Sequence, residues 1–281
     1  EELKDKVDIQ IVAFPQQGMY SYKGGRELVE EALKMGADVV GGIPHYEPAR
    51  ELGEKSIHEA VKLALKYDKL IDIHCDETDD PQSRFVELLN ALVLMEDYGA
   101  KTTASHTCSF GSADNSYAYR MLDLFKKSKL NFISCPTENV YLQGRQDTYP
   151  KRRGITRVKE FKEYGINVAF AQDSINDPWY PMGNGNMMNV LDNGIHLAQI
   201  MSSEDIKTDL DLITINGARC LNIQDRYGLD AGKDANFIVL VGDSPYDVIR
   251  NRAGVLASVR KGEYLFKQKS VEYDVKLDLG I

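Results

Sequence analysis

The sequence predicts an α/β fold, a (β/α) barrel of the TIM type with a small β element at its C-terminal end. Three observations predict it. Six short β-type apolar runs alternate with amphipathic helical runs, which argues for parallel βαβ units. The runs are evenly spaced and none opens on a Gly-x-Gly-x-x-Gly turn, which favours a barrel over an open dinucleotide-binding sheet. After Met201 the alternation stops, and glycine turns lead into an apolar strand and a hairpin.

The first β-run is Val7–Phe14. A helical stretch over Gly25–Met35 follows, with Leu28, Val29, Ala32 and Leu33 on one stripe. The second run is Ala37–Pro44, and the next helix, around Ser56–Tyr67, carries Ile57, Val61, Ala64 and Leu65. Leu70–His74 is the third run. Asp80-Pro81 reads as an N-cap with proline at the first helical position, opening a helix to about Tyr98. Lys101–His106, Asn131–Pro136 and Asn167–Asp173 complete the six, with helices between them and after the last. A helix near Asp209–Leu221 then leads through Gly228 and Gly232 into the apolar run Phe237–Leu240. Val255–Arg260 and Glu263–Lys267, joined by Lys261-Gly262, read as a hairpin. The expected division is a barrel over 1–222 and a β element over 223–281.

A chain of 281 residues with 43% hydrophobic and 27% charged side chains suits one large globular domain, or one large and one small. Net charge is -9 and the longest basic run is Lys151-Arg152-Arg153. Phosphate neutralisation needs a concentrated basic face, so nucleic acid is excluded as an expected partner. No apolar run approaches the ~18 residues of a membrane span. Cys75, Cys108, Cys135 and Cys220 show no Cys-x-x-Cys spacing, which fits a reducing cytoplasm better than a disulfide framework.

In a barrel, functional groups gather at the C-terminal ends of the strands. Here those ends hold Gln16, His45, His74, His106 and Asp173. A single strand-end histidine is more often a hydrogen-bonded rim residue; five polar groups at successive strand ends point to a site. Neutral imidazole and carboxylate are good ligands for a divalent metal. In His74-Cys75-Asp76-Glu77 a carboxylate stands three residues past the histidine, placed to act as an acid–base beside a metal rather than as a ligand. Asp76 and Asp79 read as caps for the next helix. His58 and His196 fall inside helical stretches and read as structural.

These residues sit within longer stretches that resemble cytosine deaminase of the amidohydrolase superfamily. The stretches include Val12-Ala13-Phe14-Pro15-Gln16, Leu70–Glu77, Thr103-Ala104-Ser105-His106-Thr107, Leu142-Gln143-Gly144-Arg145, Asp147–Glu160 and Asp177-Pro178-Trp179-Tyr180-Pro181. The resemblance runs from about Asp8 to beyond Lys261. Gly228–Asn236 resembles the superfamily's return from barrel to β-sandwich.

The resemblance implies an eight-stranded barrel of which about six strands, the third to the eighth, lie in this chain, followed by the C-terminal part of a β-sandwich. It implies hydrolytic deamination of an aminopyrimidine, cytosine to uracil with release of ammonia, with one divalent ion, iron or zinc; a departure at Ser174, given below, keeps 5-methylcytosine to thymine in contention. His74 is then a metal ligand. Asp173 is a second ligand and the base for the attacking water, and His106 helps to activate that water. Glu77 shuttles a proton to the ring, Gln16 binds its lactam edge and Trp179 is an apolar wall. His45 has no assigned role. A homo-oligomer is also implied. Other readings are a related hydrolase of a cyclic amide or amino-azine such as a triazine, and a non-catalytic relative.

Two departures stand out. The family's metal site also uses a His-x-His pair on its first strand, and this sequence contains none. The first two strands, at about 30 residues per βα unit, are therefore expected in an N-terminal segment outside these residues. The second departure is Ser174, where cytosine deaminases carry a second aspartate after Asp173; Gln172 stands where the family often has histidine. If Ser174 faces the C5 edge of a pyrimidine, it leaves room there for a methyl group.

Overall fold

The computed structural model describes Leu3 and residues 5–269. Six strands stand side by side in sequence order: β1 (Val12–Ala13), β2 (Val39–Gly42), β3 (Leu70–Cys75), β4 (Thr102–His106), β5 (Asn131–Ser134) and β6 (Val168–Phe170). Each pairs in parallel with the next. Among the described residues β1 and β6 do not pair with each other.

Helices form the crossovers: α1 (Gly25–Lys34), α2 (Arg50–Tyr67), α3 (Phe85–Met95), α4 (Cys108–Gly111), α5 (Asn115–Ser128), α6 (Pro136–Leu142) and α7 (Val158–Tyr164), with α8 (Met187–Ala198) after β6. Their apolar stripes explain the packing. α2 buries Ile57, Ala60, Val61 and Ala64, spaced as one helical face. α5 buries Ala118, Met121, Leu122 and Phe125. Under these helices lies an aromatic cluster. Phe161 of α7 stacks on Phe132 of β5 with ring centroids 4.3 Å apart and on Phe110 of α4 at 5.7 Å. Phe125 closes on Phe132 at 4.8 Å.

Phe161 is wholly buried, so Phe161→Ala removes a ring from the centre of a close-packed core. It is expected to destabilise the protein by about 3–5 kcal/mol, read as a lowered midpoint in urea. A midpoint unchanged within error would show that the cluster is not the core's centre.

Several boundaries move from their expected places. The first run shrinks to two residues, because β1 has a ladder partner on one side only and residues before Ile11 find no strand beside them. α2 begins six residues earlier than its apolar pattern suggests. Asp80-Pro81 does not open α3: Asp80 Oδ1 accepts from Gln82 N at 2.9 Å in a local turn, and the helix starts at Phe85. The expected helix over 209–221 breaks at Thr214 into a 3₁₀ turn, Asp209–Ile213, and a short helix, Ile215–Cys220.

A second sheet of three antiparallel strands, β7 (Phe237–Leu240), β8 (Val255–Arg260) and β9 (Glu263–Lys267), lies beyond. Lys261 and Gly262 take φ of 49° and 83°, the two positive values a type I′ hairpin turn requires. Arg260 Nη2 donates to Asp8 Oδ1 at 2.8 Å and ties this sheet to the segment before β1. Residues 270–281 of the expected C-terminal element lie outside the described ones. Among the described residues no helix is long and apolar enough to cross a membrane.

Candidate active site

The site is built at the C-terminal ends of β3, β4 and β6. Alternation along β3 buries Ile71, Ile73 and Cys75 on one face and turns Asp72 and His74 to the other. The register sets His74 beside Ser105 of β4. Asp72 accepts from Ser105 Oγ at 2.6 Å, one layer below His74. Just past the strand, the buried carboxyl of Asp76 accepts from Phe85 N at 2.9 Å and Val86 N at 2.8 Å. It caps α3, as expected, and Glu77 is left as the acid facing the cavity. Asp79 does not cap that helix; it accepts from Gly144 N at 2.8 Å and fastens a rim loop.

Asp76, His106 and Thr107 take φ of 56°, 68° and 44°. The left-handed region is costly for such residues and persists where surrounding bonds impose it, a pattern that clusters at functional sites. Here Thr107 N donates to Cys75 O at 2.9 Å and Ser109 N to Asp76 O at 3.1 Å, locking the ends of β3 and β4 together.

Four expected residues meet. His106 Nε2 lies 3.5 Å from Asp173 Oδ2, and His106 Nδ1 lies 3.3 Å from Glu77 Oε1. His74 Nδ1 is 4.0 Å from Glu77 Oε2. The His74 and His106 rings stand 4.4 Å apart, and Phe14 packs on His74 at 4.4 Å.

Burial dominates the electrostatics. It holds the His74 imidazole below its usual range, with the His106 charge acting the same way and Asp173 opposing. It lowers His106 to about 4. Burial, then the Asp173 and Glu138 charges, raise Glu77 to about 8. At neutral pH the imidazoles are uncharged and open to a metal, while Glu77 carries a proton to give.

The donor set fits a divalent metal. His74, His106 and Asp173 each bring one ligating atom, all within 4.8 Å of one another. His106 Nε2 is buried without a hydrogen-bond partner, an unmet need that an ion meets. The cluster contains both expected ligands and adds His106, which the sequence places beside the metal rather than on it.

His74 and Asp173 open on a cavity of about 880 Å³ whose lining includes Gln16, Glu77, Ser174 and Trp179, while His106 is fully buried and is not part of that lining. Residues that follow β1, β3 and β6 thus line one cavity. Trp179 is half exposed, its loop held by Trp179 N and Tyr180 N donating to Asp177 Oδ1 at 3.0 Å each. His45 sits in a 3₁₀ turn after β2 with both ring nitrogens buried and unpartnered. His58 lies in α2 and His196 in α8, away from the cavity. A second hollow, at the opposite ends of the strands, is lined by Asn131, Asn167 and Arg219 and holds none of this cluster.

Two residues of the site were not foreseen, Glu138 and Asn139, both on α6. Asn139 Nδ2 donates to Glu77 Oε1 at 3.1 Å and its amide contacts His106 Nδ1, bridging the acid and the imidazole. Glu138 accepts from Ser174 Oγ at 2.6 Å and Ser174 N at 2.9 Å. Pro136-Thr137-Glu138 reads as an ordinary helix start, proline first and an acid in the first turn, so the sequence already explained them without a site.

Residues 1–266 match the amidohydrolase family. The chain belongs to that family. Among solved structures this amidohydrolase superposes on 5-methylcytosine deaminase from Klebsiella pneumoniae liganded with phosphonocytosine, with a TM-score of 0.95 and 50% identity over 97% of this chain and 67% of that one. Against the same deaminase liganded with 5-fluorocytosine the TM-score is 0.96, at 50% identity over 98% of this chain and 66% of that one. In sequence it is 32% identical to N-isopropylammelide isopropyl amidohydrolase of Pseudomonas sp. (strain ADP), over 96% of this chain and 64% of that protein. Pterin deaminase of Rhizobium rhizogenes is 27% identical, over 85% and 54%. The chain spans between half and two thirds of the length of these curated relatives. The barrel class and the likeness to the cytosine deaminase kind of amidohydrolase, both read from the sequence, are borne out.

Proposed function

We propose that this amidohydrolase, within the whole protein, deaminates an aminopyrimidine base by hydrolysis: 5-methylcytosine to thymine, and cytosine to uracil, each with release of ammonia. The meeting of His74, Glu77 and Asp173 at one cavity, with buried His106 in contact with Glu77 and Asp173, carries this reading. Half-identity to 5-methylcytosine deaminase supports the choice of ring. The proposal includes one iron or zinc ion held by His74 and Asp173, a cytoplasmic location in keeping with the four unpaired cysteines, and a division into a barrel over 1–222 and a β-sandwich part over 223–281.

A bound divalent ion supplies a water acidic enough to ionise near neutral pH. Asp173 would accept a proton from the attacking water, with His106 Nε2 3.5 Å away to share it. Glu77 does the ring chemistry. Asn139 donates to its Oε1, which leaves the carboxyl proton on Oε2. From there it would pass to the ring nitrogen beside the amino-bearing carbon as the water's oxygen adds to that carbon. The same carboxylate then takes the proton of the hydroxyl newly added to that carbon and passes it to the amine, so that the C–N bond breaks, C=O forms and ammonia departs; the proton left on Asp173 returns to Glu77 through solvent. Gln16 donates and accepts at once, as a ring presenting N–H beside C=O requires. Trp179 walls the cavity, and Ser174 borders the C5 edge.

Ammonia release from cytosine, 5-methylcytosine and aminotriazines by the metal-loaded whole protein tests this. Turnover of 5-methylcytosine is expected; turnover of triazines alone overturns it. The likeness to N-isopropylammelide isopropyl amidohydrolase favours that second reading, a hydrolase of an amino-azine C–N bond.

A further inference from the structure

Glu138 transfers no proton in the chemistry above, although its charge helps to raise Glu77 and the Asp173 carboxyl lies beside it, and it lines the cavity at 2% exposure. Ser174 engages both of its oxygens. Ser174 Oγ donates to Oε1 at 2.6 Å and Ser174 N donates to Oε2 at 2.9 Å. The Ser174 carbonyl accepts from Gln172 Nε2 at 3.0 Å. On its other side Gly183 approaches so closely that a Cβ there would stand 1.9 Å from the Ser174 oxygen. Every backbone and side-chain polar group of Ser174 thus has a protein partner, and its hydroxyl proton points to α6 rather than to a substrate.

We propose that Glu138 is a specificity-determining residue: by taking both donors of Ser174 it holds that side chain back and makes the adjoining wall a satisfied one that accepts an alkyl group on the substrate ring. This rests on the aminopyrimidine reading and names the substrate class within it, pyrimidines alkylated at C5. The physical ground is an asymmetry. A methyl group laid against a hydrogen-bonded pair strands no donor, whereas a methyl group laid against a free hydroxyl blocks it from water without replacing its partner. A hydroxyl released from Glu138 also turns into the space the methyl group needs. Position 174 alone, small as it is, does not create that space unless something keeps its hydroxyl turned away.

The test compares kcat/KM for 5-methylcytosine and cytosine in the metal-loaded protein and in Glu138→Gln and Glu138→Val. Glutamine keeps one acceptor, for the Ser174 hydroxyl, with its amide NH2 then facing Ser174 N–H, and is expected to hold the preference within a few-fold. Valine, similar in volume without an acceptor, is expected to lower the 5-methylcytosine to cytosine ratio by about 10-fold or more, within the range that one methyl group commands in a pocket, with metal content retained. Equal loss on both substrates marks a general structural role and overturns the inference, as does an equal shift of the ratio in both variants. Should valine alone prevent folding, Glu138→Val with Ser174→Ala removes hydroxyl and acceptor together and is expected to keep the preference; its loss there is equally fatal. Turnover of neither pyrimidine by the parent brings down the reading on which this rests. A ratio that the Glu138 variants leave unchanged, in a parent that turns over 5-methylcytosine, brings down this inference alone.

Discussion

Glu77→Gln is expected to lower kcat by about 10²–10⁴-fold, the range of a general acid–base group, and by more if the carboxyl serves both the ring nitrogen and the leaving amine. The geometry makes the change selective. Glutamine fills the same volume and still accepts from Asn139 Nδ2 at the position of Oε1. What it lacks is a transferable proton at the position of Oε2. Since His74, His106 and Asp173 are untouched, metal content and unfolding midpoint should stay at parent values while single-turnover chemistry fails. A variant that turns over at near the parent rate would remove Glu77 from the mechanism and return it to being an acidic loop residue.

The second large effect concerns the metal. His74→Ala is expected to abolish stoichiometric binding of iron or zinc, with turnover falling to background in step; elemental analysis of the purified protein reads the first. His74 is presented from the end of β3, with Phe14 packed on its ring at 4.4 Å. Asp173→Asn should weaken the metal and remove the base together. His106→Gln separates the two roles that the cluster leaves for that imidazole: retained metal with lost turnover marks a base, and loss of both marks a ligand. Full metal content in His74→Ala would show that the cluster is not the metal site.

Much of this was legible because it is local. Period-2 runs set between helical stripes put His74, His106 and Asp173 at strand ends, and parallel strands bring their C-terminal ends to one side. The matching stretches around them pointed to the family at once. Capping was less legible. Asp80-Pro81 carries a stronger helix-start signal than Asp76, yet Asp76 caps α3 from nine residues before Phe85, across a loop whose path no local preference describes. Asn139 shows no signal of its own; it matters because α6 brings its amide between Glu77 and His106, 62 and 33 positions away.

The sequence by itself determined the parallel strand order, the strand-end places of His74, His106 and Asp173 and the acid beside them, since alternation and short motifs are properties of neighbours in the chain. Only the tertiary structure decided which groups those residues meet. Ser174 reads in the sequence as a small neutral residue where cytosine deaminases carry aspartate. In the fold its hydroxyl belongs to Glu138, 36 positions earlier, because β5 and β6 are adjacent and the loops after them close on each other. Hydrogen-bond partners across a curled sheet are set by curvature and packing, which act on the whole chain at once and leave no mark in the spacing of any one segment.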